Sequence, residues 1–236
     1  MSSSHLKRFA APRSWLIERK VCKHIVRPNA GSHPMRTGIA LALVLRSHGL
    51  VRTTHEIKKI LAQNEVFVDG KRVRDHRYLV GLMDVVTIPK VTFSERVIMD
   101  YKGVLRTIPT HHPAQKPVRV TGKRHIGKDA FQVNCSAGRN FIVKTAPYAL
   151  GDTLVLQFPE QTVVEHLARG KGAHIYLTGG KHIGALGTVE RVLARTIWYR
   201  VGNESFETRT SSAFVVPGWL VTEIQQHEQH HEKRSG

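Results

Sequence analysis

The stretch Thr53–Arg77, TTHEIKKILAQNEVFVDGKRVRDHR, decides the fold of the first part of the chain. Thr53 and Glu56 stand three residues apart at the start of an apolar pattern. At this spacing each side chain is able to accept a hydrogen bond from the backbone amide of the other. The apolar residues of the pattern share one helical face: Ile57, Ile60 and Leu61. The stretch therefore predicts a short, capped helix.

A hairpin is predicted directly after this helix. Val66 and Val68 alternate as in a half-buried strand, and Asp69-Gly70 is a pair that tight hairpin turns favour. Four cations follow the turn: Lys71, Arg72, Arg74 and Arg77. Because a rigid unit that projects so many cations is suited to phosphate, the pattern indicates an RNA-binding module.

The composition of the whole chain favours the same partner. It has 36 Lys+Arg against 18 Asp+Glu, a formal net charge of +18 and a sequence pI of about 10.4. Residues 1–90 alone hold 17 Lys+Arg against 6 Asp+Glu, so the excess is largest at the amino end. Such an excess is an argument about partners and not about fold. An acidic membrane surface is the alternative polyanion.

Nothing in the sequence favours the membrane alternative. No apolar run reaches the roughly 18 residues that a membrane-spanning helix needs, and no signal-peptide pattern opens the chain. Cys22 and Cys135 lie far apart without paired spacing, which supports neither a disulfide framework nor a zinc knuckle. We expect a cytoplasmic protein with no membrane partner, no small-molecule substrate, no cofactor and no metal.

The predicted fold class is α+β and multi-domain: an α+β RNA-binding module followed by two small, mostly-β, barrel-like domains. The expected divisions are a basic arm (1–36), the RNA-binding domain (37–90), a central β domain (91–169), a small β barrel (170–222) and a polar, frayed tail (223–236). Residues 37–45 contain the apolar run IALALVL, which suits a buried helix. In the arm, Trp15 has two interpretations, docking on protein or stacking on a base.

The glycine-rich segment 179–189 fits neither of two nucleotide-binding motifs. Lys181 is followed by His182, and position 175 is not glycine, so a phosphate-binding P-loop is excluded. Gly184 and Gly187 lead into the strand-like TVERV, whereas a dinucleotide fingerprint opens a helix. What remains is a strand–loop–strand element, whose glycines serve either a structural turn or the close approach of a partner.

Several segments together resemble one ribosomal family. TGGKHIGALGTVERV (178–192) resembles the KOW motif, and residues 37–89 resemble the alpha-L RNA-binding domain. HLKR-x-AAP-x-SW from His5, VRP-x-x-G-x-HP from Val26, VDG from Val68 and VGLMDV from Val80 occur in the family's order. The chain is thereby similar, over nearly its whole length, to the archaeal and eukaryotic type of small-subunit ribosomal protein four.

This resemblance implies a structural component of the small (30S-type) ribosomal subunit that binds small-subunit rRNA without catalysis, beside neighbouring ribosomal proteins. The residues expected to face RNA are cations of the arm, the helix and hairpin, the central domain and the KOW loop. They are Lys7, Arg8, Arg13, Arg19, Lys20, Lys23, Arg27, Arg36, Arg52, Lys58, Lys59, Lys71, Arg72, Arg74, Arg77, Lys123, Arg124 and Lys181. Isolated cations such as Arg169 and Arg191 have solvated surface charge as the competing interpretation.

Two other functions compete with this one. An RNA-modifying enzyme is the first, but no Ser, His and carboxylate set and no metal-ligand cluster stands out. A tail site at His227, His230 and His231 needs a helix there, and a frayed tail is the alternative. The second competitor is a KOW-containing transcription-elongation or RNA-binding regulatory factor. The strongly basic arm argues against this alternative, because it favours burial in rRNA.

Overall fold

The structure, a computed structural model, describes residues 5–49, 51–63, 65–126, 130–145 and 147–235, with side chains up to residue 229. The chain divides into two compact units, each described by itself below. The first contains residues 1–99 and 103–114, and the second contains residues 100–102 and 115–236. None of the helices in these described ranges is long and apolar enough to cross a membrane.

The first unit combines two helices with three antiparallel sheets. Its elements are β1 (Leu6–Lys7), β2 (His24–Ile25), β3 (Gly38–Ala40), α1 (Leu41–Ser47), α2 (Thr54–Gln63), β4 (Phe67–Val68), β5 (Lys71–Arg72), β6 (Leu79–Gly81), β7 (Val85–Ile88), β8 (Phe93–Met99) and β9 (Leu105–Pro109). The largest sheet has the order β5-β4-β7-β8-β9, while β1 pairs with β2 and β3 with β6. The predicted helix and hairpin are confirmed.

The prediction of a single helix over residues 37–45 is wrong for the first part of this range. Gly38–Ala40 form strand β3, in which Ile39 pairs with Val80, and helix α1 begins only at Leu41. All five residues from Leu41 to Leu45 are buried. A continuous apolar run has no period that separates a buried strand from a buried helix, so the sequence did not locate this break.

The first unit extends further along the chain than the predicted boundary at residue 90. Strand β8 pairs with β7 in the register Val86 to Glu95, and β9 pairs with β8. These two strands therefore enlarge the sheet that contains the β4–β5 hairpin. Local sequence patterns do not show which sheet a strand joins, because this depends on pairing between distant residues.

The amino-terminal arm is folded onto the first unit. Trp15 is 2% exposed, and its indole Nε1 donates to the carbonyl of Gly38 at 2.8 Å. Leu105 donates its backbone amide to the carbonyl of Ser14 at 2.7 Å. Of the two interpretations of Trp15, docking on protein is confirmed, because the ring has no surface left on which a base is able to stack.

The second unit is built on two five-stranded antiparallel sheets. Its elements are β10 (Gln115–Ile126), β11 (Ala130–Cys135), β12 (Asn140–Val143), β13 (Thr153–Gln157), β14 (Thr162–Leu167), β15 (His174–Leu177), β16 (Leu186–Val192), β17 (Thr196–Val201), β18 (Glu204–Arg209), β19 (Ala213–Val215) and α3 (Gly218–Ser235). The sheet orders are β12-β11-β10-β13-β14 and β18-β17-β16-β15-β19. Each sheet covers its own apolar cluster, centred on Leu154 and Leu156 in one and on Ile175 and Ile197 in the other.

The predicted α+β, multi-domain class is confirmed. The prediction of a frayed tail is wrong, because residues 218–235 form helix α3. Leu220 and Ile224 are buried four residues apart, which gives the helix one apolar face to anchor its first turns.

Candidate nucleic-acid interface

The turn of the β4–β5 hairpin is held rigidly against the neighbouring strand. Asp69 and Gly70 both have positive φ, 49° and 71°, as a type I′ turn requires. The buried Asp69 carboxylate accepts a hydrogen bond from the backbone amide of Val85 at 3.1 Å, and its own amide donates to the Val85 carbonyl at 3.0 Å. The turn is therefore fixed to β7 by both its side chain and its backbone.

The cations that follow this turn point away from the protein. Lys71, Arg72 and Arg74 are exposed, while Val73 between them is buried. None of the three cationic side chains has a hydrogen-bond or ion-pair partner in the described part of the chain. A buried anchor thus alternates with exposed charge, which leaves three preorganised cations available to a ligand.

Helix α2 adds a second row of cations. Ile57 and Leu61 are buried, and Lys58 and Lys59 are exposed on the opposite side. The predicted cap is confirmed: Glu56 donates its amide to Thr53 Oγ1 at 3.2 Å, and Glu56 Oε2 accepts from the amides of Arg52 and Thr53 at 2.9 and 3.4 Å. The bonds from Arg52 and Thr53 lower the pKa of the Glu56 carboxyl.

Three segments of the first unit bring charge together around His76. Burial lowers the pKa of this imidazole, and although Asp75 opposes the change, the cations Lys58, Arg77 and Arg46 lower it further. Arg46 donates to Thr54 Oγ1 at 2.8 Å, which links α1 to α2. Sequence reasoning missed Arg46 and His76, because nothing in their local spacing places the end of α1 beside the segment after the hairpin.

Not every arginine predicted to face RNA is available for it. Arg19 donates to the carbonyls of Arg8, Ala11 and Pro12 at 3.1, 3.1 and 3.0 Å, with a longer contact to that of Phe9. Arg8 in turn donates to the carbonyl of Glu18. These guanidinium groups fold the arm on itself by hydrogen bonding to carbonyls of its own backbone, so the donors that make these bonds are already in use.

The other predicted cations of the first unit divide by exposure. Arg77 and Arg27 are both half-buried. Arg77 Nε donates a hydrogen bond to the Arg27 carbonyl at 2.9 Å. The remaining ones are exposed: Lys7, Arg13, Lys20, Lys23, Arg36 and Arg52. The predicted cations of this unit thus comprise an exposed set and a smaller set of arginines that hydrogen-bond to backbone carbonyls of the arm.

Two of the predicted motifs meet at a buried hydrogen bond between a histidine and an aspartate. His33, from VRP-x-x-G-x-HP, lies with Nε2 2.9 Å from Oδ1 of Asp84, from VGLMDV. The other Asp84 oxygen accepts the amide of Gly81 at 2.8 Å. The His33 ring occupies the space that a side chain at position 81 would need, which explains a glycine there.

The predicted cations of the second unit lie on two different sheets. Lys123 and Arg124 are exposed on β10, and the ammonium of Lys123 lies 4.8 Å from the centre of the Phe131 ring. Lys181 is exposed on the loop between β15 and β16. In that loop Gly184 has φ 82°, and Gly187 packs so closely that a Cβ would lie 2.9 Å from the Tyr199 ring. A structural role is therefore sufficient to account for both glycines.

The tail histidines do not define a site within the described residues. His227 lies on α3, and the side chains of His230 and His231 lie outside the described part of the chain. Among the described residues, no group of three or more His, Cys, Asp and Glu is arranged to hold a metal ion.

Comparison with known proteins accounts for most of the chain. Three family descriptions match: the RS4NT domain over residues 2–36, the S4 domain over 41–86 and the Ribosomal family S4e over 95–163. The small ribosomal subunit protein eS4 of Methanococcus aeolicus is 35% identical over 227 residues, which cover 90% of this chain and 93% of that protein. The protein of the same name from Methanosphaera stadtmanae is 37% identical over 224 residues, covering 91% and 92%.

A solved structure agrees with these relatives. The crystal structure of the 30S ribosomal protein S4e from Thermoplasma acidophilum has a TM-score of 0.66 and 27% sequence identity, and the match covers 76% of this chain and 95% of that one. These similarities do not favour the transcription-elongation alternative. The chain belongs to the S4e family, a non-enzymatic class of structural proteins of the small ribosomal subunit.

Proposed function

We propose that this protein is a structural component of the small ribosomal subunit in the cytoplasm, where it binds and stabilises small-subunit rRNA beside other ribosomal proteins. Its main contact is the cationic face of the first unit, formed by Lys58, Lys59, Lys71, Arg72 and Arg74. The single observation that carries this proposal is the β4–β5 hairpin, whose backbone is fixed to β7 while its three cations are exposed and unpaired within the described residues.

The chemistry of that face suits folded RNA. Helical RNA is recognised mainly through its phosphates, its ribose hydroxyls and its shape, which a rigid array of cations is able to match. The planar guanidinium of Arg72 or Arg74 pairs with two phosphate oxygens at once, whereas a lysine acts as a point charge. Because the hairpin does not need to be ordered on binding, little conformational entropy opposes the contact.

The second unit also offers cations for contact with rRNA. We infer that Lys123 and Arg124 on β10 and Lys181 on the glycine-rich loop also face rRNA, and that the sheet β15–β19 with this loop is the KOW-type domain. The exposed positions of the three side chains support this assignment. The exposed cations of the arm, together with Arg52 before α2, extend the interface of the first unit: Lys7, Arg13, Lys20, Lys23, Arg36 and Arg52.

A charge-reversal experiment tests the proposal. The triple variant K71E/R72E/R74E is compared with wild type in filter-binding titrations against small-subunit rRNA over a range of salt concentrations. Each lost phosphate contact lowers the log–log salt slope by about 0.7 to 0.9, so we expect a slope smaller by about 2 to 3 and a severe loss of affinity. Circular dichroism of the variant reports whether the fold is intact.

The matched control is R191E/R195E/R209E, which changes the net charge equally at exposed positions of the second unit. It should retain most of the affinity. An equal loss in both triple variants would mean that only overall charge matters, and an unchanged affinity of K71E/R72E/R74E would refute the hairpin as the contact.

A further inference from the structure

Two arginines outside the predicted interface lie in the second unit. Arg119 on β10 is half-buried, and its Nη1 donates to the carbonyl of Ser211 at 2.7 Å. Its backbone amide donates to Ser136 Oγ at 2.9 Å. Strand β10 and the turn at 210–212 belong to different sheets, so this guanidinium lies where the two sheets of the unit meet.

The other member, Arg169, comes from the segment that joins β14 to β15. Its backbone amide donates to Asp152 Oδ1 at 3.0 Å, and its guanidinium lies against Gly151, in the space that a side chain there would fill. Its Nε is buried and has no hydrogen-bond partner within the described residues. Arg169 is therefore held in place by its backbone, while its guanidinium has no hydrogen-bond or ion-pair partner among the described residues.

No carboxylate in the described part of the chain pairs with either guanidinium. Asp152, the acid bonded to this segment, is already occupied, because it accepts from the Ala149 amide at 2.9 Å, from the Arg169 amide and from His166 Nε2 at 2.8 Å. Burial and the neighbouring charge of Arg169 lower the pKa of the Arg119 guanidinium. In the sheet Arg119 is paired with Thr153, the residue after the Asp152 that binds the Arg169 amide. Two like charges therefore lie near one another, and no carboxylate among the described residues pairs with either.

We propose that Arg119 and Arg169 together form a phosphate-binding site of the second unit, whose ligand is a backbone phosphate of rRNA. This inference rests on the proposed function and extends it to residues outside the predicted interface. A phosphate offers several oxygens to two guanidinium forks, and its negative charge removes the repulsion between them. The buried, unpaired Nε of Arg169 makes this pair different from a solvated surface charge.

The test uses the full-length variant R169Q, because Arg119 also supports the Ser211 turn and its replacement would confuse binding with folding. In salt titrations against small-subunit rRNA, R169Q should lower the log–log slope by about 0.7 to 0.9, the value of one phosphate contact. The matched control R191Q removes one exposed charge from β16 and should leave the slope unchanged. Equal slopes for wild type and R169Q, or equal losses in both variants, would overturn the site.

Thermal unfolding without RNA separates this site from the hairpin contact. At low ionic strength and without phosphate, R169Q should have a higher Tm than wild type, since the repulsion is relieved. At constant ionic strength, inorganic phosphate should raise the Tm of wild type more than that of R169Q. Equal increases would overturn the pair as an anion site, and a phosphate-dependent Tm without a change in the rRNA slope would overturn rRNA as its ligand. Failure of wild type to bind rRNA at all would instead refute the proposed function.

Discussion

The bonded arginines of the arm and the cations of the hairpin, both in the first unit, use their charge in opposite ways. In the arm, Arg19 turns its guanidinium onto carbonyls of the arm's own backbone. On the hairpin, Lys71, Arg72 and Arg74 are exposed and have no acceptor among the described residues. Arg77, which follows the hairpin, also has a structural role, because it donates a hydrogen bond to the Arg27 carbonyl of the arm.

This difference shows that a count of basic residues does not identify a binding surface. A guanidinium has five donors, so a short segment with little apolar surface is able to use it as an internal crosslink. An exposed lysine or arginine on a fixed hairpin has no such role and contributes its charge to a ligand instead. An arginine whose donors already bond the arm's own carbonyls is therefore a weaker candidate for an RNA contact than an exposed cation on a fixed hairpin.

The largest expected effect concerns the pair that joins the arm to the module. Asp84→Ala removes a buried carboxylate that binds His33 and the amide of Gly81. Because the buried His33 ring and the Gly81 amide would then lack this hydrogen-bond partner, we expect the first unit to lose about 3 to 5 kcal/mol in its free energy of unfolding. Urea denaturation followed by the fluorescence of Trp15, in a Trp198→Phe/Trp219→Phe background, reports on this unit alone.

The exposed position Glu65 supplies the control for this measurement. Glu65→Ala removes one carboxylate of the same unit and should change the free energy of unfolding by less than about 0.5 kcal/mol. A loss below about 1 kcal/mol in Asp84→Ala would mean that the arm is not anchored by this pair.

A smaller effect is expected from a change that keeps the charge. Arg19→Lys preserves the positive charge, but an ammonium group is unable to reach carbonyls spread over residues 8–12. We expect the first unit to lose about 2 kcal/mol in its free energy of unfolding, measured by the same Trp15 fluorescence. Arg72→Lys on the hairpin is the matched control and should leave stability within about 0.5 kcal/mol. Equal effects would remove the distinction between the arm and the hairpin.

The elements that the sequence predicted well are those set by neighbours along the chain. The cap of α2 needs only Thr53 and Glu56, and the hairpin turn needs only Asp69 and Gly70, so a few residues contain the whole physical signal. For the same reason the exposed cations beside the hairpin turn were found directly from their spacing.

The features that were missed depend on contacts between distant residues. Whether residues 38–40 form a strand is decided by pairing with residues 79–81, and the extent of the first unit is decided by β8 joining β7. The contact of Arg119 with Ser211 spans two sheets, and the charges around His76 come from α1, α2 and the segment after the hairpin. No local pattern distinguishes such arginines from solvated ones, because their role is created by tertiary packing.

The smallest expected effect is a pH dependence of the module that carries the hairpin. The amides of Arg52 and Thr53 bond the ionised Glu56 and lower its pKa in the folded protein. A carboxyl whose pKa is lower in the folded state stabilises it above the ordinary carboxyl pKa of about 4.3, and this contribution disappears as pH falls through the lower, folded value. Wild type should therefore lose more stability than Glu56→Gln between about pH 6 and pH 3.

Only the difference between the two proteins is informative, since other carboxyl groups titrate over the same range. Urea denaturation with Trp15 fluorescence at several pH values gives that difference for the first unit, and Glu65→Gln, which removes an exposed carboxyl nearby, is the control. Parallel pH curves for wild type and Glu56→Gln would mean that the cap is not formed in solution. The support for the hairpin would then come from the bond between Asp69 and Val85 and not from the start of α2.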